Sequence, residues 1–353
     1  MSLAERGPKV SIGILAHNEE FHIMEALQSL FAQDVFQHFA TELVIVANAC
    51  TDKTAAIAGR LLEDNRSVWS THGSARVEEL TTAGKANAWN QFVHRFSSPR
   101  ASMLILMDAD IRILEQNTIS SLVSTLESNP QAVVCVDRPV KDIEIKANRS
   151  VLERLLVAAT PTVDPDNVPL CGQLYCALAA RLRQITLPIE ITCEDGFLRA
   201  LVLTYGFTKP EDARQIVMNF GVSHSFASVA TLRELFKHEK WVVAGNIVNA
   251  LLFERFWAEA DTERSAMTLM NEWHSHDSQW LPHYIQSQVK VRGWYLLPKE
   301  AWTRRWSRLR GRPVWSIILR FPVTAIAAII DAVIFVAAIR DVCRGRAFRY
   351  WGR

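Results

Sequence analysis

An α/β fold built on a largely parallel sheet is predicted by three observations. Short apolar runs of strand length recur at 10–15, 43–46, 103–107 and 132–136. Stretches with apolar residues at three-to-four spacing follow the first two runs, as amphipathic helices would. Polar clusters stand directly after three of the runs, at 17–20, 48–52 and 108–110. Strands alternating with helices imply a parallel sheet covered on both faces, and such sheets bind ligands outside the carboxyl ends of their strands.

Each element follows from its residues. Val10–Leu15 alternates and then runs apolar, as a strand entering a core does; His17–Glu20 makes the polar turn. Phe21, Ile23, Met24, Leu27, Leu30 and Phe31 then form one face of a helix. Leu43–Val46 leads into Asn48–Asp52 and a helix over about 53–63, with Asp52 ordering the turn and capping that helix. Met103–Met107 is a third buried strand, and it ends in Asp108-Ala109-Asp110; Ala132–Val136 is a fourth. Beyond 138 the pattern loosens, with helices near 147–159 and 228–258 and a turn-rich loop at 162–169.

At 353 residues, 49% hydrophobic and 22% charged, the chain has the composition of a globular protein with a full core. Two regions are expected, a catalytic 1–240 and a helical 241–353 that holds nine of the eleven tryptophans. A net charge of +2 conceals an asymmetry: residues 299–353 carry twelve Lys or Arg against Glu300, Asp331 and Asp341. Within that basic stretch lies an apolar run, 323–339, at the short edge for a bilayer span and interrupted by Asp331. Basic flanks on both sides disfavour a simple crossing and favour an interfacial or re-entrant helix on an anionic membrane surface. A buried helix of a soluble protein fits the same run. No nucleic-acid motif accompanies the charge, so nucleic acid is not expected as a partner. Six cysteines without a C-x-x-C pair, and a short polar start, point to reduced thiols and a cytoplasmic location at the inner face of the cell membrane.

Two carboxylates at the end of a buried strand are costly to keep close unless something neutralises them. Hard Mg²⁺ or Mn²⁺ is the usual neutraliser, and a nucleotide diphosphate beyond it makes a group-transfer site. A solvated turn or helix cap fits the same residues. Glu194-Asp195 is a second acidic pair: either the favourable start of a helix over 197–203, or a general base. His274, His276, Asp277 and His283 read as a polar loop between aromatic anchors rather than a zinc site. Neither a Walker loop nor a G-x-G-x-x-G fingerprint is present.

The order of motifs resembles the family 2 inverting glycosyltransferases of GT-A fold. The matching residues are Ala16–Glu20, Asn48–Thr54, Gly84–Asn90, Asp108–Asp110, Cys171–Tyr175 and Thr192–Asp195, spread over roughly 8–240. The resemblance implies a nucleotide-sugar donor bound by Ala16, Asn18, Glu19, Asn48, Lys85 and Asp108. The nucleotide is expected to be UDP, although Asn48 stands where the family commonly has an Asp that recognises the uracil. It implies Mg²⁺ or Mn²⁺ held by Asp110, with Asp108 beside it, and Asp195 as base with Glu194 as neighbour or stand-in. Gly172, Gln173 and Trp241 fall on the acceptor side. The Q-x-x-R-W motif of processive members is degenerate here, with Lys237 and Lys240 before the retained Trp241, which implies transfer of a single sugar. The implied acceptor is a lipid or glycan hydroxyl in cell-surface polysaccharide synthesis. A non-catalytic nucleotide-sugar-binding scaffold and a sugar nucleotidyltransferase remain the alternatives.

Overall fold

In a computed structural model the described residues are 9–69, 73–146, 163, 164, 167–228, 231–307 and 309–348. Eight strands form one sheet: β1 (Val10–Ala16), β2 (Thr41–Asn48), β3 (Ser74–Leu80), β4 (Met103–Asp108), β5 (Ile111–Ile113), β6 (Val134–Lys141), β7 (Leu174–Leu178) and β8 (Ile216–Phe226). Their order is β3-β2-β1-β4-β7-β6-β8-β5. The first four run parallel, as expected. The other half is mixed, because β7 lies antiparallel between β4 and β6 and β5 antiparallel on β8. The expected fourth strand is therefore present, with β7 inserted between it and β4.

Both faces of the sheet are covered. Ile12, Ile14, Ile45 and Ile105 face α1 (Ile23–Phe31) and α4 (Thr118–Glu127). Val44, Val46, Leu104 and Leu106 face the opposite way, toward α3 (Lys85–Gln91), α5 (Glu194–Leu203) and α6 (Leu232–Glu259). The helix between β2 and β3, α2 (Thr54–Asp64), buries Ala58 and Leu62 on the α1 side. Alternate side chains thus enter two cores, which is why these strands read as continuous apolar runs. Each fully buried Leu or Ile contributes about 1.5–3 kcal/mol by leaving water.

The helix expected at 147–159 lies outside the described residues. The one expected near 228–258 is α6, whose buried Ala244, Ile247, Val248, Leu251 and Phe256 belong to the same core as α5. The division placed at 240/241 falls inside this uninterrupted helix. After it come α7 (Ala266–His276), α8 (Trp280–Arg292), α9 (Lys299–Ser307) and α10 (Val314–Cys343).

α6 grips the segment before α5 closely. A Cβ on Gly245 would stand 2.3 Å from Cys193 Sγ and 2.8 Å from Thr192 Oγ1. Val242 O accepts from the Cys193 thiol at 3.7 Å, and Asn249 Nδ2 donates to Cys193 O at 2.9 Å. Gly245→Ala is expected to cost about 1–3 kcal/mol through overpacking, read as a lower unfolding midpoint in denaturant. An unchanged midpoint would mean that the two segments separate without cost.

Candidate active site

The carboxyl ends of β1, β2 and β4 lie side by side, with Leu15 opposite Asp108 and Ala16 opposite Ala47. Two turns interlock there. Asn18, held in the left-handed region at φ 57°, accepts from Thr51 N through Oδ1 at 2.8 Å. Asp52 accepts from Thr54 N at 3.0 Å, Thr54 Oγ1 at 2.6 Å and Glu20 N at 3.1 Å. Asp52 therefore orders the turn. Ala16 is buried, Asn18 is exposed, and Glu19 is half-buried with His22 Nδ1 2.8 Å from its carboxylate. Burial raises the Glu19 carboxyl above its usual range, and the nearby Asp110 adds to that.

Asn48 faces inward. It is fully buried; its Nδ2 donates to Thr82 O at 2.9 Å and its Oδ1 accepts from Gly84 N at 2.9 Å. Both polar atoms of the side chain are thus engaged by the loop that leads to Lys85. The amide fits the backbone spacing of that loop.

Lys85 is the junction of the site. Its Nζ lies 2.7 Å from Asp108 Oδ2 and 3.1 Å from Glu194 Oε1, linking the end of β4 to the start of α5. Burial pushes the Asp108 carboxyl up to about 7; the Lys85 ammonium opposes the shift, while Asp110 and Glu194 add to it. The two carboxylates in turn hold the Lys85 ammonium well above its ordinary value against burial. Asp108 Oδ1 is buried and has no hydrogen-bond partner among the described residues. Asp110, two residues on, is exposed, and its side chain forms no hydrogen bond or ion pair among the described residues.

The second acidic pair opens α5, where the helix dipole favours carboxylates. Glu194 is buried against Lys85, and Asp195 Oδ1 accepts from Gly196 N at 2.7 Å. Burial raises the Asp195 carboxyl, Glu194 raises it further, and Lys85 pulls it down. A Cβ on Gly172 would lie 3.0 Å from Asp195 Cβ, so the backbone of 171–173 passes directly over this carboxylate. Lys85, Gly172, Tyr175, Glu194 and Asp195 line one small cavity.

Among the described residues no three His, Cys, Asp or Glu side chains form a group that would hold a metal unaided. The orphaned Asp108 Oδ1 and the free Asp110 supply two carboxylates on one strand end. That suits Mg²⁺ or Mn²⁺, which takes one or two carboxylates and completes its shell with phosphate oxygens and water.

The sequence profile described as glycosyl transferase family 2 matches residues 11–201. The chain belongs to glycosyl transferase family 2. It is a glycosyltransferase, and all the candidate donor and base residues of this family 2 enzyme lie within the matched span. No curated protein sequence matches it. Among solved structures it is similar in fold to a mannosyltransferase from Pyrobaculum calidifontis in complex with GDP-Man and Mn²⁺. There the identity is 16%, the TM-score 0.57, and the alignment covers 95% of this chain and 87% of that one. S. aureus TarS 1–349 aligns at 16% identity and TM-score 0.44, over 96% of this chain and 92% of that one. Glucosyl-3-phosphoglycerate synthase from Mycobacterium tuberculosis, with Mg²⁺ and uridine diphosphate, aligns at 18% and 0.45, over 70% and 83%.

Of the residues expected at the family 2 site, Lys85, Asp108, Gly172, Glu194 and Asp195 are brought together. Gln173 sits beside them, its carbonyl accepting from Asp108 N at 2.8 Å. Trp241 stands on α6, the helix that braces Cys193, with its indole N–H buried and unpartnered among the described residues. A buried pair that sequence reasoning missed lies below Gln173: His224 Nδ1 is 2.8 Å from Asp137 and its Nε2 3.2 Å from Gln173 Oε1. Their signal was present, since Asp137 ends a run of buried strand residues.

Proposed function

We propose that this glycosyltransferase moves a single sugar from a nucleoside diphosphate, UDP by the family resemblance, to an acceptor hydroxyl with inversion. The acceptor is a lipid or lipid-linked glycan on the way to cell-surface polysaccharide, met at the inner face of the membrane. The observation that carries the reading is the junction at Lys85, where a partly buried, half-orphaned Asp108 and Glu194, the first of the acidic pair of α5, share one ammonium.

The residues divide the work. Asp110, with Asp108 beside it, would hold Mg²⁺ or Mn²⁺, which would supply neutralisation of charge on the leaving diphosphate. Lys85 meets the same diphosphate as a point charge. Asn18 and Glu19 shape the nucleoside side, Ala16 supplies backbone, and Asn48 acts through the loop before Lys85. Glu194 is spent on Lys85, which leaves Asp195 to take the proton as the acceptor oxygen attacks. Gly172 lets the sugar approach the backbone, with Gln173 and Trp241 on the acceptor side.

A base must be ionised, and Asp195 is raised above the usual carboxylate range. Activity is therefore expected to fall, as pH drops, at a higher pH than a free aspartate would give. Glu194→Gln removes the neighbouring negative charge and should move this acid limb to lower pH. A kcat–pH profile of both proteins checks it; a limb unmoved by the substitution removes Asp195 from the base role. The wider reading is tested by binding a panel of UDP- and GDP-sugars with and without Mg²⁺ or Mn²⁺. One donor bound in a metal-dependent way is expected, and binding of none would sink it.

A further inference from the structure

The helix α10 has two unlike halves. Ile334, Phe335, Ala338, Ile339 and Val342 are buried, and Asp341 pairs with Lys240 of α6 at 2.6 Å. Over 314–333, by contrast, large apolar side chains stay exposed, from 52% at Phe321 to 73% at Val314. By length and composition α10 is able to cross a membrane.

What packs beside it decides otherwise. The short helix α9 runs antiparallel along the middle of α10: Trp302 stacks edge-on to Phe335 at 5.2 Å, and Trp306 lies 5.7 Å from Phe321. Asp331, the charge that interrupts the apolar run, is clamped by two guanidinium groups. Arg305 donates to it through Nε at 2.8 Å and Nη2 at 3.0 Å, and Arg304 through Nε at 3.1 Å. A crossing by 314–333 would carry the exposed Lys299, Glu300 and Arg304 of α9, and Arg320 of α10 itself, into hydrocarbon. A helix lying in the interface needs none of that: one flank meets acyl chains and the other meets headgroups. The surrounding charge selects the leaflet, since 299–353 holds twelve Lys or Arg against three acids.

We propose that α9 and α10 form a monotopic anchor on an anionic bilayer, with the stripe from Val314 to Val333 among the acyl chains and α9 at the headgroups. This deepens the membrane reading above and rests on it. The Asp331 clamp keeps the two helices in one hairpin. The buried half of α10 fastens that hairpin to α6, whose other side holds Cys193 and the start of α5.

The test is flotation of the full chain with vesicles of phosphatidylcholine, alone or mixed equally with phosphatidylglycerol. Binding to the anionic vesicles is expected, at least about tenfold tighter than to phosphatidylcholine alone and weakened by salt. Ile326→Asp with Ile329→Asp, both on the exposed stripe, should abolish flotation while donor binding and the unfolding midpoint stay unchanged. Arg310→Cys and Arg346→Cys should both react with an impermeant thiol reagent outside sealed vesicles, mapped by mass spectrometry. Protection of one of the two means a crossing and overturns the proposal. So does failure of the parent chain to float, or flotation that survives the paired substitution. A dimer that the paired substitution splits, without vesicle binding, would assign the stripe to a second copy. Sugar transfer to a soluble acceptor, measured in parallel, separates these outcomes from failure of the catalytic reading.

Discussion

Asp195→Asn is expected to lower kcat about a thousandfold while the donor binds as before. The substitution keeps the size of the side chain, so its contact with the 171–173 backbone and its bond to Gly196 N survive. What disappears is the capacity to accept a proton from the incoming hydroxyl. Glu194 is poorly placed to replace it, because its carboxylate is already paired with Lys85 at 3.1 Å. Donor affinity by titration and kcat by product release separate the two roles. A variant that loses donor binding instead would make Asp195 a substrate-holding residue.

Asp110→Ala carries the second large effect. Its side chain has no partner among the described residues, so the unfolding midpoint should not move. Transfer, however, should fall about a thousandfold, the loss expected when several kcal/mol of charge stabilisation are removed from the leaving group. The parent enzyme in EDTA should drop to the level of the variant, and the variant should no longer respond to added Mg²⁺ or Mn²⁺. Full activity of either one would remove the cation from the reaction. Asp108 is the less informative target: its ion pair with Lys85 would be broken as well, leaving a buried ammonium short of one partner.

The parallel half of the sheet was legible because β1, β2 and β4 are buried on both faces and consist almost wholly of apolar residues. Of the mixed half only β6 was. β5 is only three residues long, and β8 carries Asn219, Ser223 and His224 among its apolar positions. Their strand character comes from pairing with each other and with β6, which no local pattern announces. At the site, residue types and order were readable, while partnership was not. Lys85 and Glu194 stand far apart in sequence, and nothing in either motif says that they share an ion pair. Asn48 shows the converse: its motif was visible, and its side chain is turned inward by the loop it holds.

The grip of α6 on Cys193 has a consequence for where this enzyme ends as a foldable unit. The match to the family 2 profile ends at 201, yet the carboxylates at 194 and 195 are steadied from behind by Val242, Gly245 and Asn249. A chain trimmed to that match would keep every candidate donor and base residue. It would also strip Phe197 of Phe253 and Phe256, which lie 6.0 and 6.1 Å away by ring centroid, and open one core to water. The span that matches the family profile is thus shorter than the core that supports it, and the smallest piece expected to fold by itself includes α6.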